Sequence, residues 1–111
     1  MKILDKKIKR SDLKNSQFVM GEEMVKGVVD IKRNLLAIDA EMHADLERFL
    51  LDGGSDQFDL WGINLYFDGD LVEFDSMINI RPSQGNRSRS VEDEAMQKRI
   101  LEVVSNWVED D

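Results

Sequence analysis

The ten residues from Arg81 to Ser90 have the side chains best suited to binding chemistry in this sequence. Three of them are arginines, and no Asp or Glu occurs between Asp75 and Glu92, although the chain carries a net charge of −8. A local cluster of cations on an acidic protein attracts anions, and a planar guanidinium matches the oxygens of phosphate or carboxylate. This segment, the basic loop, is therefore predicted to bind a small anionic or phosphorylated ligand.

Each polar residue of the basic loop has an expected role in that binding. Arg87 and Arg89 hold the anion, two amides orient it, and Arg81 supports the loop. Ser90 is predicted to cap a helix whose first N–H groups point at the same anion. The loop lacks the glycine-rich run and the Lys-Ser/Thr pair of a phosphate loop, so the identity of the ligand stays open. The predicted ligand-binding residues are Arg81, Gln84, Asn86, Arg87, Arg89 and Ser90.

The alternative is that the basic loop is only a structural element. Its amides then hydrogen-bond the loop backbone, and its arginines pair with acidic neighbours rather than with a ligand. The pairs expected in that case are Arg81 with Asp56, and Arg87 or Arg89 with Glu92 or Asp93. A related alternative is a homo-oligomer in which the loop contacts an acidic patch of a neighbouring subunit.

A second group of candidates combines carboxylates with the single histidine of the chain. Asp39, Glu41 and His43 alternate along a predicted strand, and Asp75 is expected on the same face of the sheet. Carboxylates with an imidazole can bind Mg²⁺ or Mn²⁺, or act as a general acid and base. His43 and Asp75 are thus the catalytic candidates of an alternative function, a metal-dependent phosphohydrolase or nuclease. A solvated acidic face is the structural explanation.

The composition limits the class of protein. With 111 residues and 41% hydrophobic content, the chain is predicted to form a single globular domain over residues 1–111. It has no cysteine, which excludes disulfides and thiolate metal sites. The pI of about 4.6 argues against broad nucleic-acid binding, because phosphate contacts supply most of that affinity. No apolar run is long enough to span a membrane, which predicts a soluble, cytoplasmic protein.

The first half of the chain is predicted to contain a strand, a helix and a hairpin. The strand runs from Lys2 to Ile8, and Ser11 caps a helix that ends at Gly21. That helix carries Leu13, Gln17 and Met20. Alternating apolar residues predict two further strands, residues 25–31 and 35–43, joined by a turn at Lys32-Arg33-Asn34.

The second half is predicted to contain a helix, a hairpin and a C-terminal helix. Leu46, Phe49 and Leu50 have helical spacing, and their helix ends at Gly53 and Gly54, with a twisted strand as the alternative. The last helix begins at Ser90 and is amphipathic. Its apolar stripe consists of Met96, Ile100, Val103, Val104 and Trp107. Because hairpins dominate, we expect an α+β fold with a mostly antiparallel sheet and helices packed on one face.

The turn at Asp68-Gly69 sets the register of the second hairpin, which joins residues 60–67 to residues 71–81. A two-residue turn pairs Leu65 with Val72, Ile63 with Phe74 and Trp61 with Ser76 on the apolar face. On the polar face it pairs Asn64 with Glu73, Gly62 with Asp75 and Asp56 with Arg81. Since glycine has no side chain, the carboxylate of Asp75 is expected beside a shallow opening in the sheet.

Three segments of the sequence resemble a known family. They are residues 41–45 (EMHAD), 59–66 (DLWGINLY) and 74–89 (FDSMINIRPSQGNRSR). Nearly the whole chain is similar to a family of small prokaryotic proteins known only as a domain of unknown function. The resemblance implies a bacterial or archaeal origin and assigns no activity.

Overall fold

The computed structural model describes residues 1–19, 21, 23–69 and 71–111. Within these residues, short runs of β-branched and aromatic side chains form a five-stranded sheet. In spatial order its strands are β1 (Lys2–Ile3), β4 (Leu35–Ile38), β3 (Met24–Asp30), β5 (Leu60–Tyr66) and β6 (Val72–Glu73). Each neighbouring pair is antiparallel. A separate parallel pair consists of β2 (Ile8–Lys9) and β7 (Val108–Glu109).

Helices cover both faces of the sheet. The helices are α1 (His43–Asp52) and α2 (Glu94–Trp107). Leu46 of α1 packs in an apolar cluster with Val28, whereas Ile100 of α2 packs in another cluster with Val29. Because successive residues of a strand point to opposite faces, Val28 and Val29 place the two helices on opposite sides.

The predicted α+β class, the antiparallel sheet and the C-terminal amphipathic helix are confirmed. The prediction that the helices pack on one face is wrong. The reason is that the central strands are buried on both sides: every residue of β5 from Leu60 to Leu65 is buried. A strand covered on both faces has consecutive apolar residues, and these do not show which face a helix will cover.

The N-terminal segment differs from its predicted strand and helix. Residues 2–9 form the two short strands β1 and β2 rather than one strand. A 3-10 helix, Arg10–Asn15, replaces the α-helix, so Ser11 is not its N-cap. Asp12 accepts a hydrogen bond from Lys9 N at 3.0 Å and closes this turn. Met20, which the predicted helix included, lies outside the described residues.

The first hairpin forms as predicted, but its second strand is shorter. β4 ends at Ile38, and Asp39 has a left-handed backbone with φ of 75°. A non-glycine residue rarely adopts this conformation, which turns the chain out of the sheet. Ser16 Oγ donates to Asp39 Oδ1 at 2.7 Å and holds the turn. His43 therefore begins α1 instead of continuing the strand.

The second hairpin keeps its predicted register only near the turn. Asn64 pairs with Glu73 and Leu65 with Val72. β6 then ends at Glu73, and the chain enters a 3-10 helix at Met77–Asn79. The remaining predicted pairs, which are Gly62 with Asp75, Ile63 with Phe74, Trp61 with Ser76 and Asp56 with Arg81, are not part of the ladder.

α2 begins later than predicted. Its N-cap is Asp93, whose side chain accepts a hydrogen bond from Ala95 N at 2.9 Å, so Ser90 is not the cap. Val91 is only 1% exposed and packs in the core on the α2 side of the sheet. Burying Val91 keeps the preceding residues outside the helix. In the described part of the chain, no helix has the length and apolar character needed to cross a bilayer.

Candidate functional site

A cleft of about 320 Å³ lies on the α1 side of the sheet. The start of α1, the segment from Asp75 to Ile78 and the end of the basic loop surround it. Its floor belongs to the polar face of β3 and β5, where Lys26 pairs directly opposite Asn64. The polar side chains that line it are Lys26, His43, Asn64, Asp75, Ser76 and Arg89. We call this site the His43 cleft.

The ring of His43 has a fixed orientation at the base of α1. Its Nε2 lies 2.7 Å from the carbonyl oxygen of Ile63, and since a carbonyl only accepts, Nε2 carries the proton and donates. The neighbouring ring atom Cδ2 lies over Gly62, 3.2 Å from where a Cβ on that residue would sit. Nδ1 is directly across the ring from the Nε2–Cδ2 edge. It is therefore the ring atom opposite the edge that contacts Ile63 O and Gly62.

Burial controls the charge of His43, whose exposed fraction is 9%. Burial lowers the pKa of His43 below its ordinary value of 6.5. The hydrogen bond to Ile63 O and the charge of Asp75 oppose that shift, while Lys26 and Arg89 add to it. The imidazole is consequently neutral near pH 7, so Nδ1 can accept a hydrogen bond or a proton.

Arg89 is the cation at the rim of the His43 cleft. Its Nε donates to Asp75 Oδ1 at 2.7 Å, and this ion pair is partly exposed. Its backbone carbonyl accepts hydrogen bonds from Ser76 N and from Asn79 Nδ2, both at 3.0 Å. These three contacts hold Arg89 beside the cleft. Of its three guanidinium nitrogens, only Nε has a hydrogen-bond partner among the described residues, so both terminal nitrogens remain to donate elsewhere.

Arg81 lies apart from the His43 cleft and is only 8% exposed. Its guanidinium donates to the carbonyl oxygens of Gln57 and Leu60 and lies 4.0 Å from the centre of the Trp61 ring. Burial lowers the pKa of Arg81, and the charges of Glu47 and Asp59 oppose this shift. The predicted bracing by Asp56 is therefore wrong. Carbonyl oxygens and an aromatic face stabilise the buried cation instead.

The two amides of the basic loop hydrogen-bond backbone groups. Asn86 Nδ2 donates to the carbonyls of Asn79 and Ser90, both at 2.7 Å, and Asn86 Oδ1 accepts from Glu92 N at 2.9 Å. Gln84 Nε2 donates to Phe58 O at 3.2 Å. The bond from Asn86 to Ser90 O is of the kind that the structural alternative predicts, whereas Gln84 bonds a carbonyl outside the loop. Together these contacts fix the shape of the loop that carries Arg89.

Arg87 and Ser90 are exposed and do not line the His43 cleft. The backbone N–H of Arg87 donates to Glu92 Oε2 at 2.6 Å. Of the six residues predicted to bind an anion, Arg89 is thus the one that the fold brings to His43. Lys26 and Asn64 were not predicted as site residues, because their pairing depends on contact between β3 and β5, which are separated by β4 and α1 in the chain.

The predicted metal ligands are divided between two places. His43 and Asp75 line the His43 cleft, but Asp39 is hydrogen-bonded to Ser16 and Glu41 is exposed in the connection before α1. The early end of β4 is the cause, since it removes the alternation that would have put these side chains on one face. Within residues 1–19, 21, 23–69 and 71–111, no group of three or more His, Asp or Glu residues could hold a metal ion.

Comparison with known proteins gives a family but no activity. A family model described as Protein of unknown function (DUF5674) matches residues 2–107. The resemblance of nearly the whole chain to a domain of unknown function is thus confirmed, and the bacterial or archaeal origin stays a prediction. Neither the curated proteins nor the solved structures include a match to this chain.

Proposed function

For this chain, which belongs to a family of unknown function, we propose that the His43 cleft binds a small anion bearing a phosphate or carboxylate group. The proposal rests on the geometry of the cleft. The observation that carries this proposal is that two cations from distant segments, Lys26 and Arg89, line one cleft. The proposal keeps the anion predicted from the basic loop and moves its centre to the end of that loop.

The local charge favours an anion although the protein as a whole repels one. The chain has a net charge of −8, whereas Lys26 and Arg89 face one lining carboxylate, Asp75. A hydrogen bond between charged groups contributes on the order of 1.5 to 3 kcal/mol. Two such bonds correspond to dissociation constants between roughly tens of micromolar and several millimolar.

Asp75 prepares Arg89 for this role. The bond from Arg89 Nε to Asp75 orients the guanidinium plane, so its terminal nitrogens lose little freedom when they meet a ligand. The bound anion then shares Arg89 with Asp75 instead of displacing it.

His43 adds a hydrogen-bond acceptor to the two donors. Nδ1 of the neutral ring suits a hydroxyl group or a protonated phosphate oxygen of the ligand. The cleft thus prefers an anion that also carries a donor, such as monohydrogen phosphate, over an anion that only accepts, such as sulfate.

The test compares two arginines of the same loop. Arg89→Gln removes the cation at the cleft, and Arg87→Gln removes an exposed cation outside it, so both variants lose one charge from the basic loop. We expect titration calorimetry at low salt to show that Arg89→Gln weakens phosphate binding about tenfold or more, whereas Arg87→Gln changes it less than about threefold.

Two results of this test would reject the proposal. One is wild-type protein that binds no phosphate at concentrations of roughly 10 mM, where even weak sites fill. The other is an equal loss in the two variants, which would show that only the summed charge of the loop matters. Thermal unfolding of both variants serves as the control for folding.

The other two functions considered have less geometric support. A metal-dependent phosphohydrolase or nuclease would use His43 and Asp75, but two of its four expected ligands lie outside the cleft. Titration with Mn²⁺ at millimolar concentration tests it through a change in melting temperature, which His43→Ala should abolish. Sedimentation at low salt tests the homo-oligomer, because an electrostatic contact is strongest there.

A further inference from the structure

The His43 cleft has an apolar side that a bare anion would not use. Met24, Met42 and Met77 line it together with the polar groups. Met42 is 55% exposed and Met77 is 66% exposed, so neither side chain contributes much to the core. Methionine adapts its shape to different apolar partners and is common at binding surfaces for that reason.

Met42 occupies a position where a different residue would stabilise the fold better. It is the N-cap of α1, and it makes no side-chain hydrogen bond to the helix. Ser, Thr, Asp and Asn are strongly preferred at this position because their side chains accept from the first N–H groups. An exposed apolar side chain at the N-cap makes the helix less stable than Ser or Asp would. This cost to stability is expected where the side chain serves to contact a ligand.

The size of the cleft also exceeds what a bare anion requires. Its volume of about 320 Å³ corresponds to roughly ten water molecules and falls at the lower end of small-molecule sites. A phosphate or carboxylate group on its own fills a small part of that space. The rest adjoins the methionines.

We infer that the ligand of the His43 cleft is an amphipathic anion, a small molecule that joins a phosphate or carboxylate to an apolar or aromatic group. The anionic end contacts Arg89 and Lys26, and the apolar end packs on Met42 and Met77. This inference rests on the proposed anion site and adds the chemical class of its ligand.

The experiment compares three probes by titration calorimetry: inorganic phosphate, butyl phosphate and phenyl phosphate. We expect at least one organic phosphate to bind about tenfold more tightly than inorganic phosphate, a gain of about 1.4 kcal/mol that burial of a small apolar group can supply. The probe with the larger gain identifies the apolar end as aliphatic or aromatic.

The decisive variant is Met42→Ser, because it separates binding from folding. Serine at the N-cap should raise the melting temperature, while the loss of the apolar side chain should remove most of the preference for the organic phosphate. Inorganic phosphate should bind as before. Leu101→Ser, an exposed apolar residue of α2 on the opposite face of the sheet, is the control and should leave all three affinities unchanged.

The outcomes distinguish this inference from the proposed function. If inorganic phosphate binds and neither organic phosphate binds more tightly, the inference is wrong and the anion site stands. The inference is also wrong if the preference exists but survives both Met42→Ser and Met77→Ser. If inorganic phosphate does not bind at roughly 10 mM, the proposed function itself fails, and this inference fails with it.

Discussion

Asn79 forms hydrogen bonds with both backbone groups of Gly62. Gly62 N donates to Asn79 Oδ1 at 2.8 Å, and Asn79 Nδ2 donates to Gly62 O at 2.9 Å. The side-chain amide thus replaces the neighbouring strand that β6 would have supplied had it continued past Glu73. The same Nδ2 donates to Arg89 O at 3.0 Å, so one buried amide joins the floor of the His43 cleft to its cationic rim.

Asn79→Asp should destabilise the protein by about 2 to 4 kcal/mol at pH 7. The carboxylate still accepts from Gly62 N, but it cannot donate to Gly62 O or Arg89 O, and it places a charge at a residue with 0% exposure. Urea unfolding measures the loss, which should shrink at acidic pH as the new side chain regains a proton. Asn106→Asp, at an exposed amide, is the control. A loss below about 0.5 kcal/mol for Asn79→Asp would contradict this account.

Gly62→Ala should destabilise the protein by about 1 to 3 kcal/mol. A Cβ on Gly62 would lie 2.5 Å from the Cβ and 2.6 Å from the Oγ of Ser76, and 3.2 Å from Cδ2 of His43. Because Ser76 is buried at 1% exposure, it has little room to move away. Adding Ser76→Gly to the alanine variant should recover most of the loss, as a double-mutant cycle of unfolding free energies would reveal.

The matched control for that substitution is Gly27→Ala. A Cβ on Gly27 would lie 3.3 and 3.4 Å from the ends of the Leu36 and Leu65 side chains, and at an ordinary contact distance of 3.6 Å from Ala37 O. Those flexible ends can shift by a few tenths of an ångström, so Gly27→Ala should cost less than Gly62→Ala. The reverse order would show that Ser76 does not close over the sheet at Gly62.

The stability of the protein should fall as the pH drops below 6.5, and His43 should account for this loss. Burial lowers the pKa of His43 in the folded state, so the unfolded chain binds the proton more readily. The contribution of His43 is therefore fully present above pH 6.5 and is lost as the pH falls toward the lower folded pKa. Since the chain contains a single histidine, no second imidazole titrates in this range.

His43→Gln should flatten the pH dependence of the melting temperature between pH 7 and pH 5.5, because the amide keeps a donor for Ile63 O and does not titrate there. A nuclear magnetic resonance titration of the wild-type imidazole provides the direct measurement. A folded-state pKa at or above 6.5 would rule out the buried, neutral ring described here.

Several elements were predictable because their signals are local. The turn at Asp68-Gly69 selects the register of its hairpin through the backbone conformation of two residues. The end of α1 follows from Gly53, where the helix is capped, and the stripe of α2 follows from helical periodicity. In each case the physical cause lies within a few residues of its effect.

Element boundaries were less predictable because packing chooses among equivalent local signals. Ser90 and Asp93 are both favourable N-cap residues. Asp93 is the N-cap of α2 because Val91, which lies between them, is buried in the core. Likewise the alternation from Leu36 to His43 suits a strand, yet Asp39 turns the chain so that His43 can begin α1.

Composition and local pattern were sufficient to identify an acidic α+β protein with a cationic segment and a single histidine. The assembly of the His43 cleft depended on folding, because Lys26, His43 and Arg89 come from three distant parts of the chain and meet through strand pairing and the Asn79 amide. Hydrogen bonds and ion pairs act over a few ångströms. The amino-acid sequence therefore determines which charged residues the protein has, whereas the tertiary structure determines which of them lie close enough to act together.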